Sequence, residues 1–155
     1  MESVNAGKAG VFEAILGSPK AHCPVHTVSL DFLDAETTLA TELGALAAFD
    51  SAKPSVFFAE GLIMYLGKDG KRKLLTDVSA VAAEGSVFIL NFLHREGDDN
   101  TLGEAEATAT LTELGWADLE FSKYGDERLN FGRFPTDKFE PSPAFSFVVC
   151  RKGSK

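Results

Sequence analysis

Three polar side chains stand where an open parallel sheet would offer them to a ligand. Asp31 closes the alternating run Val25–Phe32 (VHTVSLDF), Glu60 follows directly on the apolar run Ser55–Ala59 (SVFFA), and Asn91 falls near the end of the apolar run Ser86–Leu93 (SVFILNFL). Open α/β sheets bind their ligands beyond the carboxyl ends of the strands. A carboxylate there accepts hydrogen bonds from amino and N–H groups. Glu60 is the most suggestive of the three, because Gly61 follows it and a residue without Cβ lets a ligand approach the backbone closely. Each also has a plainer reading as a helix cap or turn residue.

Other groupings carry less chemistry. His22, Cys23 and His26 are metal-ligating types at close spacing, but no second cluster completes the four ligands of a structural zinc site. Ser29 and Ser86 sit in no hydrolase motif. The early glycines Gly7, Gly10 and Gly17 follow no strand and do not form GxGxxG. The run Lys71-Arg72-Lys73 reads as the solvated face of a helix.

The elements that would position these residues can be read from periodicity. Val11–Leu16, stopped by Gly17, Ser18 and Pro19, reads as the last turns of a helix. Val25–Phe32 alternates and is rich in β-branched residues, which predicts a strand. From Ala35 to Ala48, with Asp34 as its cap, Leu39, Leu43, Leu46 and Ala47 recur at helical spacing. Ser55–Ala59 and Ser86–Leu93 read as strands buried on both faces. Between them Lys68–Ala83 is a helix with Leu74, Leu75, Val78, Val81 and Ala82 on one side and Gly85 as its stop. A weaker helix, Leu102–Leu114, follows the polar loop His94–Asn100. Leu119–Tyr124 is a short strand, Gly125–Pro143 a long excursion, and Phe145–Cys150 a final strand. Strands alternating with helices imply parallel βαβ units. The last two strands, with no helix between them, imply a hairpin that makes one strand antiparallel.

Composition bounds the setting. The chain has 155 residues, 45% of them hydrophobic, which fits one compact domain. A net charge of −8 excludes nucleic acid as an expected partner. No apolar run is long enough to span a bilayer, and the first ten residues hold no apolar signal core. Cys23 and Cys150 are too few for a disulfide framework and read as free thiols. These features together place the protein in the cytoplasm.

The segment Ala59–Leu66, AEGLIMYL, resembles the strand-to-helix signature of the leucine carboxyl methyltransferase family of S-adenosylmethionine-dependent O-methyltransferases. The same register runs on either side of it. SLDFLD (Ser29–Asp34) is similar to the family's apolar-Asp-apolar-x-Asp segment, EGSVFILNF (Glu84–Phe92) to its Gly-Ser-apolar strand, and LTELGWADLEFSKYGD (Leu111–Asp126) to its Leu-Gly-Trp segment. The resemblance spans nearly the whole chain. It implies an α/β fold, a Rossmann-like class I methyltransferase sheet with its N-terminal strands missing and a C-terminal antiparallel hairpin strand, so that residues 1–155 form a single partial methyltransferase domain.

The resemblance implies S-adenosylmethionine as cofactor and Asp31, Phe32, Glu60 and Gly61 as its contacts. Glu60 would accept from the amino group of the methionine moiety, and Asp31 from the adenine amino group. Phe32 would pack either on the adenine or into the core, and Tyr65 beneath the site. The methyl acceptor would be a carboxylate or hydroxyl oxygen of a small molecule or protein; the alternative is a non-catalytic binding or interaction module. The class has sheet order 3-2-1-4-5-7-6, and this chain is expected to hold strands 3 to 7. Strand 3 (Val25–Phe32) would then either stand across a gap or slide beside strand 4, and only Val11–Leu16 would shield one sheet face. The runs SVFFA and SVFILNFL are apolar on both sides, so that face would be exposed. A homodimer through the uncovered sheet face is the expected assembly.

Overall fold

The computed structural model describes residues 2–16, 23–34, 36–95, 97–98, 101–132, 142 and 144–154. It contains α1 (Glu2–Leu16), α2 (Leu39–Gly44), β1 (Val56–Ala59), α3 (Gly67–Val81), β2 (Val87–Leu93), α4 (Glu104–Glu113), β3 (Trp116–Lys123) and β4 (Phe145–Lys152). The four strands form one sheet in the order β1-β2-β4-β3. β1 runs parallel to β2, while β4 is inserted antiparallel between β2 and β3. This is the 4-5-7-6 end of the expected Rossmann-like sheet, including its antiparallel last strand.

The core lies on one side of this sheet. α3 brings Leu74, Leu75, Val78 and Ala82 down at helical spacing, and α4 brings Ala107 and Leu111, onto Phe88, Leu90, Phe92, Val148 and Cys150. Trp116 closes one end: its ring lies 5.5 Å from Phe88, and its Nε1 donates to Ser79 Oγ at 2.6 Å. β3 begins three residues earlier than the alternation predicts. A register shift between Ala117 and Glu120, with Asp118 at φ 51°, breaks the period of two just where the strand starts.

Val25–Phe32 is not a strand. A strand needs a ladder partner, and none of the described residues pairs with it. The segment is irregular instead: Ser29 Oγ accepts from Asn5 Nδ2 at 2.9 Å, Leu30 is buried, and the run ends in a turn at Asp31. Among the described residues neither the gapped sheet nor the order 3-4-5-7-6 occurs. The helix expected over 35–48 shrinks to the six residues of α2, capped by Thr38, whose hydroxyl accepts from the Thr41 N–H at 3.1 Å. Asp34 accepts instead from the Glu36 N–H and the Thr37 hydroxyl, and these two bonds hold its carboxyl below the usual carboxylate range.

The run Lys71-Arg72-Lys73 is only partly a solvated face. Arg72 pairs with Glu113 at 2.7 Å on the surface. Lys71 is buried, donates to the Thr101 carbonyl and lies 3.7 Å from Glu106. Lys73 ties the segment before α2 to α3, donating to the Thr37 carbonyl at 2.7 Å and to Asp77 at 2.6 Å.

The opposite sheet face is open. Val56 and Phe58 of β1 are 69% and 62% exposed, and Val149 on β4, beyond β2, is 39% exposed. The register sets Phe58 level with Ile89 and Ile89 level with Val149, an apolar row across three strands. α1 does not shield it: Val11, Phe12 and Ile15 are themselves exposed. Most of the excursion at 125–143 lies outside the described residues; its start contains a short 3-10 turn, Glu127–Leu129.

Candidate functional site

The chain leaves β1 at the buried Ala59 and turns at once. Glu60 is exposed, and Gly61 takes φ +61°, a left-handed conformation that costs any residue with a Cβ. The Gly61 N–H donates to Asn91 Oδ1 at 2.7 Å. Asn91 is 4% exposed and lies on β2 between the fully buried Leu90 and Phe92, so the turn is fastened to a rigid strand. A Cβ at Gly61 would meet no atom within 4 Å, which leaves open space over the backbone beside Glu60. A 3-10 turn, Ile63–Tyr65, follows and anchors through the buried Ile63. Tyr65 does not pack beneath the site; it is 78% exposed.

Asp31 and Phe32 reach the same region by another path. The Asp31 carboxylate accepts from the Leu33 N–H at 2.9 Å, and its carbonyl accepts from the Asp34 N–H at 3.2 Å, which makes a local turn. Leu33 then rests on α3 where Gly70 makes room: a Cβ there would lie 3.0 Å from Leu33 and 2.9 Å from Leu66. Phe32 is half-buried against the core, which is the packing reading of that residue. The Asp31 turn and the Glu60 turn thus both border the start of α3. A short-range bond explains the position of Asp31 without any ligand, while Glu60 stands exposed directly after the buried Ala59.

Sequence reasoning gave little weight to Asn91 and read His94–Asn100 only as a polar loop. Asn91 was visible as an amide inside an apolar strand, where an unbonded polar group is costly. The loop after β2 proves to border a cleft of about 420 Å³ between the starts of α3 and α4, lined by Lys68, His94, Arg95 and Thr101 among others. No group of three or more metal-ligating side chains occurs among the described residues, and His22 lies outside them.

The region of the Asp31 and Glu60 turns is rich in hydrogen-bond acceptors. Two exposed carboxylates, Asp31 and Glu60, suit a ligand that presents amino groups, and the open space at Gly61 suits one that lies against backbone.

The sequence model of the leucine carboxyl methyltransferase family matches residues 1–79. A protein of Mycolicibacterium smegmatis named as an S-adenosyl-L-methionine-dependent methyltransferase is 32% identical over 93 residues, covering 60% of this chain and 29% of the relative. A similarly named protein of Mycolicibacterium paratuberculosis is 31% identical over 105 residues, covering 65% of this chain and 32% of the relative. The chain therefore spans about a third of the length of these relatives. Among solved structures, the CurJ carbon methyltransferase superimposes with a TM-score of 0.59 at 12% identity, over 99% of this chain and 40% of that one. At that identity the likeness shows the fold: four strands and their helices correspond to part of a methyltransferase sheet.

Proposed function

The chain belongs to the leucine carboxyl methyltransferase family, and on that premise we propose that it forms part of a crevice for S-adenosylmethionine and serves methyl transfer to a carboxylate or hydroxyl oxygen of a small molecule or protein. The observation that carries this reading is the turn after β1, in which Gly61 is bonded to the buried Asn91 and Glu60 is left exposed at the carboxyl end of a parallel strand pair. Glu60 accepts from the amino group of the methionine moiety, Gly61 lets the ligand lie close to the backbone, and Asp31 with Phe32 borders the adenine. When bound, S-adenosylmethionine supplies a methyl group on a sulfonium. The chain's own part is to orient the two reactants in line. A carboxylate acceptor is already a nucleophile and needs no general base.

Calorimetry with S-adenosylmethionine tests the reading. Binding by the wild-type chain and a weakening of about 1.5–3 kcal/mol in Glu60→Gln, the range for a hydrogen bond to a charged group, is the expected result. Wild-type affinity in the variant would remove Glu60 from the site.

A second reading is favoured by the open face. The apolar row Phe58–Ile89–Val149 suits a non-catalytic interaction module, or a homodimer in which a second copy covers the sheet. No binding of S-adenosylmethionine at millimolar ligand supports this one. No helix among the described residues is long and apolar enough to cross a membrane. With both cysteines unpaired, a reducing cytoplasm is the proposed setting.

A further inference from the structure

The cleft beyond β2 is a built site that neither Glu60 nor Asp31 lines. Its loop is held at several points. The Leu102 N–H donates to the Leu93 carbonyl at 3.2 Å, which closes the loop at its base. The Arg95 N–H donates to Thr101 Oγ1 at 3.1 Å, and that hydroxyl donates in turn to the Asp98 carbonyl at 2.8 Å. The buried Lys71 donates to the Thr101 carbonyl from beneath. His94 lies on Gly103, the residue that caps α4: a Cβ there would come within 3.2 Å of His94 Nδ1, a close contact.

The charge of the cleft runs against that of the chain. The protein carries −8 overall, yet Lys68, Arg95 and His94 converge here from two elements. The wall also holds two carboxylates, Asp98 and Glu106, and Glu106 lies 3.7 Å from the buried Lys71. α4 begins in the wall with Ala105 and Glu106, and no side chain caps its first turn. Unpaired N–H groups at a helix start favour negative charge, as does a guanidinium, which holds an oxyanion with two parallel bonds.

We propose that this cleft binds the oxyanion group, carboxylate or phosphate ester, of a small acidic molecule through Arg95, Lys68 and His94. The further assignment of that molecule as the methyl acceptor rests on the function proposed above; the anion site itself does not.

The test is a titration of the ¹⁵N-labelled full chain with inorganic phosphate and, separately, with hexanoate, following the amides of Thr101, Ala105 and Glu106. Saturable shifts confined to the cleft support the proposal. Tighter binding of phosphate marks a phosphoryl ligand, and tighter binding of hexanoate a carboxyl one. Arg95→Gln and Lys68→Gln, both at exposed positions, should each weaken binding about tenfold. Anion binding in a chain that fails to bind S-adenosylmethionine supports the cleft and overturns only its link to methyl transfer. No saturable shift with either anion, or undiminished binding in both charge variants, overturns the proposal.

Discussion

The Gly61 N–H and the Asn91 side chain, 2.7 Å apart, join the loop that presents Glu60 to the second strand of the sheet. Asn91 spends a buried position on a bond to a loop, where an apolar residue would otherwise pack. Asn91→Ala should therefore cost at least about 0.5–1.5 kcal/mol in urea unfolding, the net range for one hydrogen bond. Asn91→Leu, which keeps the volume but offers no acceptor, should also cost stability. Wild-type stability in Asn91→Leu would mean that packing and not the bond is what Asn91 supplies.

Trp116 and Ser79 form a second polar link inside the core. The indole Nε1 donates to Ser79 Oγ at 2.6 Å, and that hydroxyl donates to the Leu75 carbonyl at 2.6 Å. Ser79→Ala leaves the indole N–H buried without an acceptor and should lower stability by about 1–3 kcal/mol. The double variant Ser79→Ala with Trp116→Phe should cost less than the sum of the two single changes. Additive losses would show that the two side chains do not act as a pair.

The two thiols should behave oppositely. Cys23 is exposed, while Cys150 is buried on β4 and burial pushes its thiol up to about 12, against a small opposing pull from Lys152. Iodoacetamide at pH 8 should add one carbamidomethyl group to the native protein and two after denaturation, counted by mass spectrometry. The native state keeps the Cys150 proton where the unfolded chain loses it near pH 8.5. Stability from this group is thus fully present below about pH 8.5 and falls as pH rises toward 12. Rapid double alkylation of folded protein would contradict the burial.

The open sheet face should govern assembly. If a second copy covers the row Phe58–Ile89–Val149, light scattering at micromolar concentration gives twice the chain mass. Phe58→Lys, at a position already 62% exposed, should return the monomer with its melting midpoint little changed. A wild-type monomer with a cooperative melt would show that this face needs no second copy.

Much of the fold was legible because burial imposes local patterns. SVFFA and SVFILNFL, the second broken only by Asn91, both form strands of the parallel pair, but the expected cover on both faces fails for β1, where Val56 and Phe58 are exposed. The spacing of Leu74, Leu75, Val78 and Val81 could only face a core as a helix. Glu60-Gly61 was legible for a related reason: a charge and a glycine straight after a buried strand mark the point where it opens to solvent. AEGLIMYL by itself pointed to the family.

Tertiary structure decided the rest, because those choices depend on partners distant in sequence. Val25–Phe32 has the alternation of a strand, but alternation describes only a strip with two faces; the ladder needs a neighbour, and the strip finds none among the described residues. Lys71 sits in a basic run like any solvated face, and only the loop carbonyl of Thr101 and the carboxylate of Glu106 make a buried place for it. Asn91 is one amide in an apolar strand until the turn at Gly61 brings it a donor. Sequence determined which segments are apolar and with what period, since that is a property of each segment alone. Which polar groups meet was decided by the fold, since a hydrogen bond needs two atoms within about 3 Å and 30 residues of chain separate Gly61 from Asn91.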